Sequence, residues 1–361
     1  MDKPLIVILL DSSELGGIET HVFHLAKALQ SSALKPVIWF YRCYGQPHPM
    51  ASQLQNNNIS FDYLAGSLLS IWTALGEKKP LVLHTHGYKA GIFGRLAATA
   101  RNTPVVSTFH NGDQGNGVVR LYTWLDRITS RLSLNIAVSK EIACRLPVSP
   151  VCLNNFVKLP EQKSDQGNAI VFVGRLSHEK GPDLFLNLAK HLPDQQFRVY
   201  GSGPMDSHLK QQDVANVRFM GQVSSMESHW PDVGLLCISS RQEGLPMVAL
   251  EAMSHGVPVA AFGLGALPEL IEQNVNGWIA PQGNIKILSN LVQFWLSLPL
   301  EEKRKRSKNC LQTIVRSYSY EAVIPKVLEV YQDAVTTKGL RWPNLITPER
   351  TSPAETTEKS H

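Results

Sequence analysis

No stretch of this chain approaches the ~20 consecutive apolar residues that span a bilayer. The early apolar run in PLIVILLD, residues 4–11, is six residues long and closes on Asp11, which reads as a buried first strand and not as a secretory leader. A soluble protein that stays in the cytoplasm is the expectation. The five cysteines, Cys43, Cys144, Cys152, Cys237 and Cys310, are odd in number and scattered, with no C-x-x-C pair. That speaks against a disulfide frame or a cysteine zinc site and for reduced thiols. No G-x-G-x-x-G follows the first strand, so the dinucleotide fingerprint is missing, and no H-E-x-x-H points to a metal centre. No metal and no cofactor are therefore expected.

Charge is also sparse, at 18% of residues against 43% hydrophobic, a globular composition. The net charge of +5 sits in the first half: residues 1–158 hold 15 Lys and Arg against 9 Asp and Glu, the remainder 20 against 21. A basic half suits an anionic partner such as phosphate or an anionic lipid surface, although a mild excess on a solvated surface explains it too. The dense run EEKRKRSKN mixes both signs without interleaved aromatics, so no nucleic-acid partner is expected.

What the chain has in plenty is alternation. Short β-branched runs (PLIVILLD, PVIWF, LVLHTH, PVVSTFH and LNIAVS, then AIVFVG, FRVYGSG, VGLLCISS and PVAAF) are separated by turns and helical periods, the sequence form of parallel βαβ units. At 361 residues, two doubly wound α/β domains are expected: 1–158 and 168–315, joined by a proline-containing polar linker. A helix over 318–335 follows, and 336–361, rich in Thr, Pro and charge, reads as a disordered tail.

Several strand ends carry chemistry. Gly16 and Gly17 sit where a strand turns into a helix, which lets backbone approach an anion at the helix N-terminus; a tight turn alone would use them equally well. His84, His86 and His110 stand at the ends of two strands, where ligands collect in parallel sheets, or they serve the fold alone. In VGRLSHEKG, Arg175 and Lys180 stand on the turn after a strand, suited to a diphosphate through a fork and a point charge. Gly201 and Gly203 repeat the theme more weakly. In RQEGLPMVALEAMSHG a helix starts at Pro246, which leaves the amides of Gly244 to Met247 open to an anion. Glu243 precedes that helix and Glu251 lies more than a turn inside it, so the two would bracket a ligand.

Together GGIETH, TFHN, VGRLSHEKG, GSGP and EGLPMVALEAMSHGVPVAAFGLGALPELI, in this order, resemble the family-4 retaining glycosyltransferases of GT-B fold over residues 5–335. The resemblance implies two facing Rossmann-like domains with a deep cleft between them, the last helix crossing back to the first. It implies a nucleotide-diphosphate sugar as donor, UDP- or GDP-linked, and a glycan or lipid-linked acceptor. Arg175 and Lys180 would neutralise the diphosphate, with Gly16 and Gly17 closing over it. Glu243 would hold hydroxyls of the sugar and Glu251 those of the ribose. Gly244, Leu245, Pro246 and Met247 would cap the sugar or phosphate, Gly201 and Gly203 would line the donor side, and His110 would sit by the reacting carbon. VRFMGQV, residues 217–223, would edge the base pocket. The Asp-x-Asp metal motif of the other glycosyltransferase fold occurs nowhere in the chain. Where the family has a Pro-Asn-Gly turn in the linker, this chain has LNNF. The same cations would also serve a nucleotide-sugar epimerase. Two basic, aromatic helical stretches, SLLSIWTALGEKK and VRLYTWLDRITSRLSL, either pack against the sheet or meet an anionic membrane.

Overall fold

The computed structural model describes residues 3–110, 117–160, 167–223 and 225–343. Its first sheet comprises β1 (Leu5–Leu10), β2 (Lys35–Phe40), β3 (Ser60–Tyr63), β4 (Val82–His86), β5 (Val105–Phe109), β6 (Leu134–Ala137) and β7 (Val151–Cys152), parallel throughout, in the order β3-β2-β1-β4-β5-β6-β7. The second comprises β8 (Ala169–Val173), β9 (Phe197–Tyr200), β10 (Val217–Gly221), β11 (Val233–Ile238), β12 (Val259–Phe262) and β13 (Gly277–Ala280), also parallel, in the order β10-β9-β8-β11-β12-β13. These are the two Rossmann-like sheets of a GT-B fold.

The strands read as unbroken apolar runs because helices cover both faces of each sheet. In β1, Ile6, Ile8 and Leu10 enter one core while Val7 and Leu9 enter the core on the opposite face, the period of two expected of a strand. Strand order reverses between β1 and β4 and again between β8 and β11. Loops leaving the strand ends on either side of such a point part to opposite faces and open a crevice. The two crevices face one another.

The chain changes core between adjacent residues: Phe156 packs in the first domain and Val157 in the second. It returns at Tyr318, in the second core, and Tyr320, against the first. The two crossings lie side by side, with the Val157 amide donating to the Tyr318 carbonyl at 2.9 Å. Asn154, in LNNF, ties the same crossing by donating to the Ser317 carbonyl at 3.2 Å. The helix Tyr320–Thr337 then lies on the first domain, placing Val323, Val327, Val330, Tyr331 and Ala334 in the core of β1 and β2. It runs past the expected end at residue 335, and 344–361 of the expected tail lie outside the described residues.

Candidate active site

A cleft of about 700 Å3 lies between the facing switch points. From the first domain come the loop after β1, with Gly16 and Gly17, and His110 after β5; from the second come Arg175, Lys180, Glu243 to Met247, and Glu251. The two walls are close. A Cβ built on Gly244 would stand 3.3 Å from the His110 carbonyl, and one on Gly17 4.0 Å from the Met247 side chain. Asn155, from the linker, donates to the Leu245 carbonyl at 3.0 Å and so fixes the loop of Glu243 to Pro246 to the first domain.

Glu243 sits in the cleft wall with its side chain 6% exposed, and its two oxygens accept from Lys180 Nζ at 2.8 and 2.9 Å. Ser240 Oγ donates to the same carboxylate at 2.7 Å. A buried carboxylate needs such partners. Arg175 reaches across the cleft to Glu14, Nη1 to Oε2 2.9 Å, with both side chains about half exposed. Both cations proposed for a diphosphate therefore already face the cleft, each holding a carboxylate. The loop that carries them is pinned from behind. Arg241 forks onto Asp183 at 2.8 and 2.6 Å, and its amide takes the Glu179 carbonyl at 2.7 Å. Ser239 Oγ donates to the Gly181 carbonyl at 2.8 Å, and Gly181, at φ +64°, brings its Cα so near that a Cβ would stand 2.2 Å from the Ser239 oxygen.

The helix Met247–Ser254 starts one residue later than the sequence suggests, with Pro246 as its N-cap at φ −69° and ψ 125°. The free first-turn amides are thus those of Met247 and Val248. The stretch GLGALPE behind it is a buttress. Gly265, at φ +52°, lies against the Glu243 and Gly244 carbonyls, and the Ala266 amide donates to the latter at 2.9 Å. Glu251 lines the cleft further along, where burial, with the charge of Glu227 second, lifts its pKa to about 7. From Glu251 the opening continues into a space of about 900 Å3 edged by Val223, Met226 and Trp230.

Gly201 and Gly203 are not among the residues lining the cleft. A Cβ on Gly201 would stand 1.9 Å from the Gly174 carbonyl, and one on Gly203 2.6 Å from that of Leu176. They are glycines because this turn lies against the Arg175 loop, which it supports from behind. Of residues 217–223, only Val223 borders the opening beyond Glu251.

Two features escaped the sequence. Glu19, in the first turn of the helix Gly17–Ser31, is 6% exposed, lines the cleft and has its pKa raised, chiefly by burial. And His21, from the same helix, joins His86 and His110: the three bring one ring nitrogen each to within 4.8 Å of one another. His86 Nδ1 and His110 Nε2 are 2.9 Å apart. Burial holds these rings neutral, with the pKa of His110 down to about 3 and those of His21 and His86 well below the ordinary histidine value. His84 lies behind them, between Tyr331 Oη at 2.7 Å and Thr108 Oγ1 at 2.7 Å. The third histidine was invisible to spacing because the fold, not the sequence, brings it there.

A smaller pocket of about 140 Å3 opens beside His110, between the first half of the helix Tyr88–Ala100 and the last turn of the helix Val118–Thr129. Its floor is polar. Arg95 is buried there in an ion pair with Asp126, Arg95 Nη1 also donates to Ser107 Oγ at 3.1 Å, and Asp11 stands at the rim.

Residues 15–147 match the family Glycosyltransferase Family 4, and residues 156–311 match Glycosyl transferases group 1. Over 323 residues the chain is 28% identical to the UDP-Gal:alpha-D-GlcNAc-diphosphoundecaprenol alpha-1,3-galactosyltransferase of Escherichia coli, covering 78% of this chain and 82% of that one. It is 26% identical, over 72% of itself and 73% of the relative, to a phosphatidyl-myo-inositol mannosyltransferase of Propionibacterium freudenreichii. Among solved structures, Anabaena HepE in complex with UDP superposes with a TM-score of 0.79 at 16% identity, over 91% of this chain and 100% of that one.

Proposed function

This chain is a glycosyltransferase of the family 4 and group 1 type with the GT-B fold, and from that premise we propose that it moves a hexosyl or N-acetylhexosaminyl unit from a UDP-sugar, or failing that a GDP-sugar, to a lipid-linked glycan with retention at the anomeric carbon. One observation carries the reading: Lys180 and Arg175 on one wall, and the open amides of Met247 and Val248 beside them, converge on the cleft that His110 enters from the other wall. That is an anion site aimed at a reacting centre. When the bond from the anomeric carbon to the diphosphate oxygen breaks, negative charge grows on the leaving group, and fixed donors there lower the barrier. The acceptor oxygen bonds to the same face of that carbon, and its proton passes to the departing diphosphate. Glu243 is placed to accept from sugar hydroxyls and Glu251 from ribose hydroxyls.

The acceptor pocket beside His110 supports the lipid-linked part. Its wall includes Asp126 of the helix Val118–Thr129, and the outer side of that helix exposes Leu121 (56%), Trp124 (58%) and Ile128 (43%) among Arg120, Arg127 and Arg131. The helix Leu68–Lys78 adds exposed Leu68, Leu69 and Trp72, and both helices pack on the helix Tyr88–Ala100. An exposed apolar surface with cations interleaved fits an anionic membrane, which would deliver a lipid-linked sugar to the pocket mouth. The E. coli relative is named for a diphosphoundecaprenol-linked acceptor, which supports the lipid-linked reading. The experiment is incubation with UDP-hexoses, with and without an undecaprenyl-diphosphate sugar. A disaccharide product that needs the acceptor supports the reading. Conversion of one UDP-sugar to its epimer without acceptor would replace it by epimerisation, which none of the named relatives supports.

A further inference from the structure

We infer that His21, His86 and His110 form a site for a single divalent transition-metal ion of the zinc class, separate from the transfer chemistry, whose occupation takes His110 out of the cleft wall. Three imidazoles on three elements converge: His21 from the helix Gly17–Ser31, His86 from the end of β4, and His110 from the end of β5. Two of them have unused polar atoms. His21 Nδ1 and His86 Nε2 are buried without a hydrogen-bond partner, on residues 5% and 0% exposed. A buried nitrogen with nothing to bond is costly, so hydrogen bonding within the fold does not account for these rings. Asn155, which holds the Leu245 carbonyl, is the polar neighbour of His21, without a hydrogen bond of good geometry between them.

The geometry is close to that of a metal. Two nitrogens at ~2.0–2.1 Å from a tetrahedral zinc are ~3.3 Å apart. His86 Nδ1 and His110 Nε2, hydrogen-bonded to each other at 2.9 Å, would exchange that bond for the ion through the other tautomer and part by a few tenths of an ångström, and His21 needs to close from within 4.8 Å. Imidazole-only ligation selects zinc, cobalt, nickel or copper over magnesium or calcium, which take oxygen. Among the described residues no carboxylate joins the three, so the site is a three-histidine one with a position left for a small ligand, and His110, which lines the cleft, is its doorway. His84 stays outside, both its nitrogens being held by Tyr331 and Thr108.

The test is titration of metal-free full-length protein with Co2+, read by visible absorption. Intense four-coordinate bands that saturate at one ion per chain, are displaced by Zn2+, and vanish in His86→Gln and in His21→Gln support the site. Because those variants risk misfolding, the wild type is also read directly by imidazole 15N resonances during Zn2+ titration. The rings of His21, His86 and His110 shift while His84 does not. Absence of the bands, their survival in either variant, or shifts confined to surface rings such as His178 and His208 overturns the site. None of these readouts uses sugar transfer, so the outcome is independent of the proposed activity. If transfer is observed, saturation with Zn2+ abolishes it and a chelator restores it; unchanged turnover in the zinc-loaded protein overturns the claim that the ion sequesters His110.

Discussion

Removing the Lys180 ammonium leaves the Glu243 carboxylate, 6% exposed, with Ser240 as its remaining hydrogen-bond partner and no cation at 2.8 Å. On the reading above, Lys180→Ala and Glu243→Ala each lower turnover about 10²–10³-fold, the range for losing one electrostatic contact to the transition state. Because the two side chains bond each other, the double variant loses less than the product of the single losses. Steady-state kinetics on the three variants checks both statements, and near-normal turnover in either single variant removes that residue from the mechanism. Glu251 makes a prediction about pH. Its pKa, lifted from the ordinary 4.5 to about 7 mainly by burial, means that the folded protein holds a proton there which the unfolded chain releases earlier. Its contribution to stability is therefore full below pH 4.5 and fades as pH rises through about 7. Ribose hydroxyls donate more strongly to the ionised form. Nucleotide affinity in calorimetry should rise across about pH 6 to 8, with proton release, and both effects should be absent in Glu251→Gln. A flat profile in the wild type contradicts the ribose role.

At the scale of elements, the helix Tyr320–Thr337 is a strap that completes a core it does not belong to in sequence. Tyr331 is fully buried there and its hydroxyl holds His84 at 2.7 Å. Tyr331→Ala should destabilise the protein by about 3–5 kcal/mol, as for other large aromatic truncations, and Tyr331→Phe by about 1 kcal/mol. Chemical denaturation measures both, and a Tyr331→Ala cost under about 1 kcal/mol would mean the strap is loosely held. The alternating strands and the helix starts were legible because their signals are local: a run of Val, Ile and Leu, then a glycine turn. β1 and its helix are the clearest case. What was not legible is local sequence answering to distant backbone. Gly201 and Gly203 look like phosphate glycines, yet their space is taken by Gly174 and Leu176. GLGALPE looks like a broken dinucleotide fingerprint, yet Gly265 makes room for the Glu243 and Gly244 carbonyls. Arg241 gave no sign that it would fork onto Asp183, and His21 none that it would meet His86 and His110.

At the scale of the molecule, two rigid sheets meet through adjacent crossings at Val157 and Tyr318, so every group lining the cleft depends on how the halves close. No helix among the described residues is long and apolar enough to cross a membrane, and on the reading above the exposed Leu121, Trp124 and Ile128 meet its surface. Wild-type protein should sediment with anionic vesicles at low salt, and less so at high salt, while the Leu121→Ser/Trp124→Ser variant should stay in solution. Equal sedimentation of the two would move the membrane contact elsewhere. The central claim, that this cleft breaks a sugar–diphosphate bond and forms the bond to the acceptor oxygen on the same face of the anomeric carbon, rests most directly on the product itself. The measurement is the proton NMR spectrum of the disaccharide formed from an α-linked UDP-hexose and a lipid-linked acceptor. The account predicts a new glycosidic linkage of α configuration together with free UDP. A β linkage, or release of UDP with no linkage formed in the presence of acceptor, would contradict it.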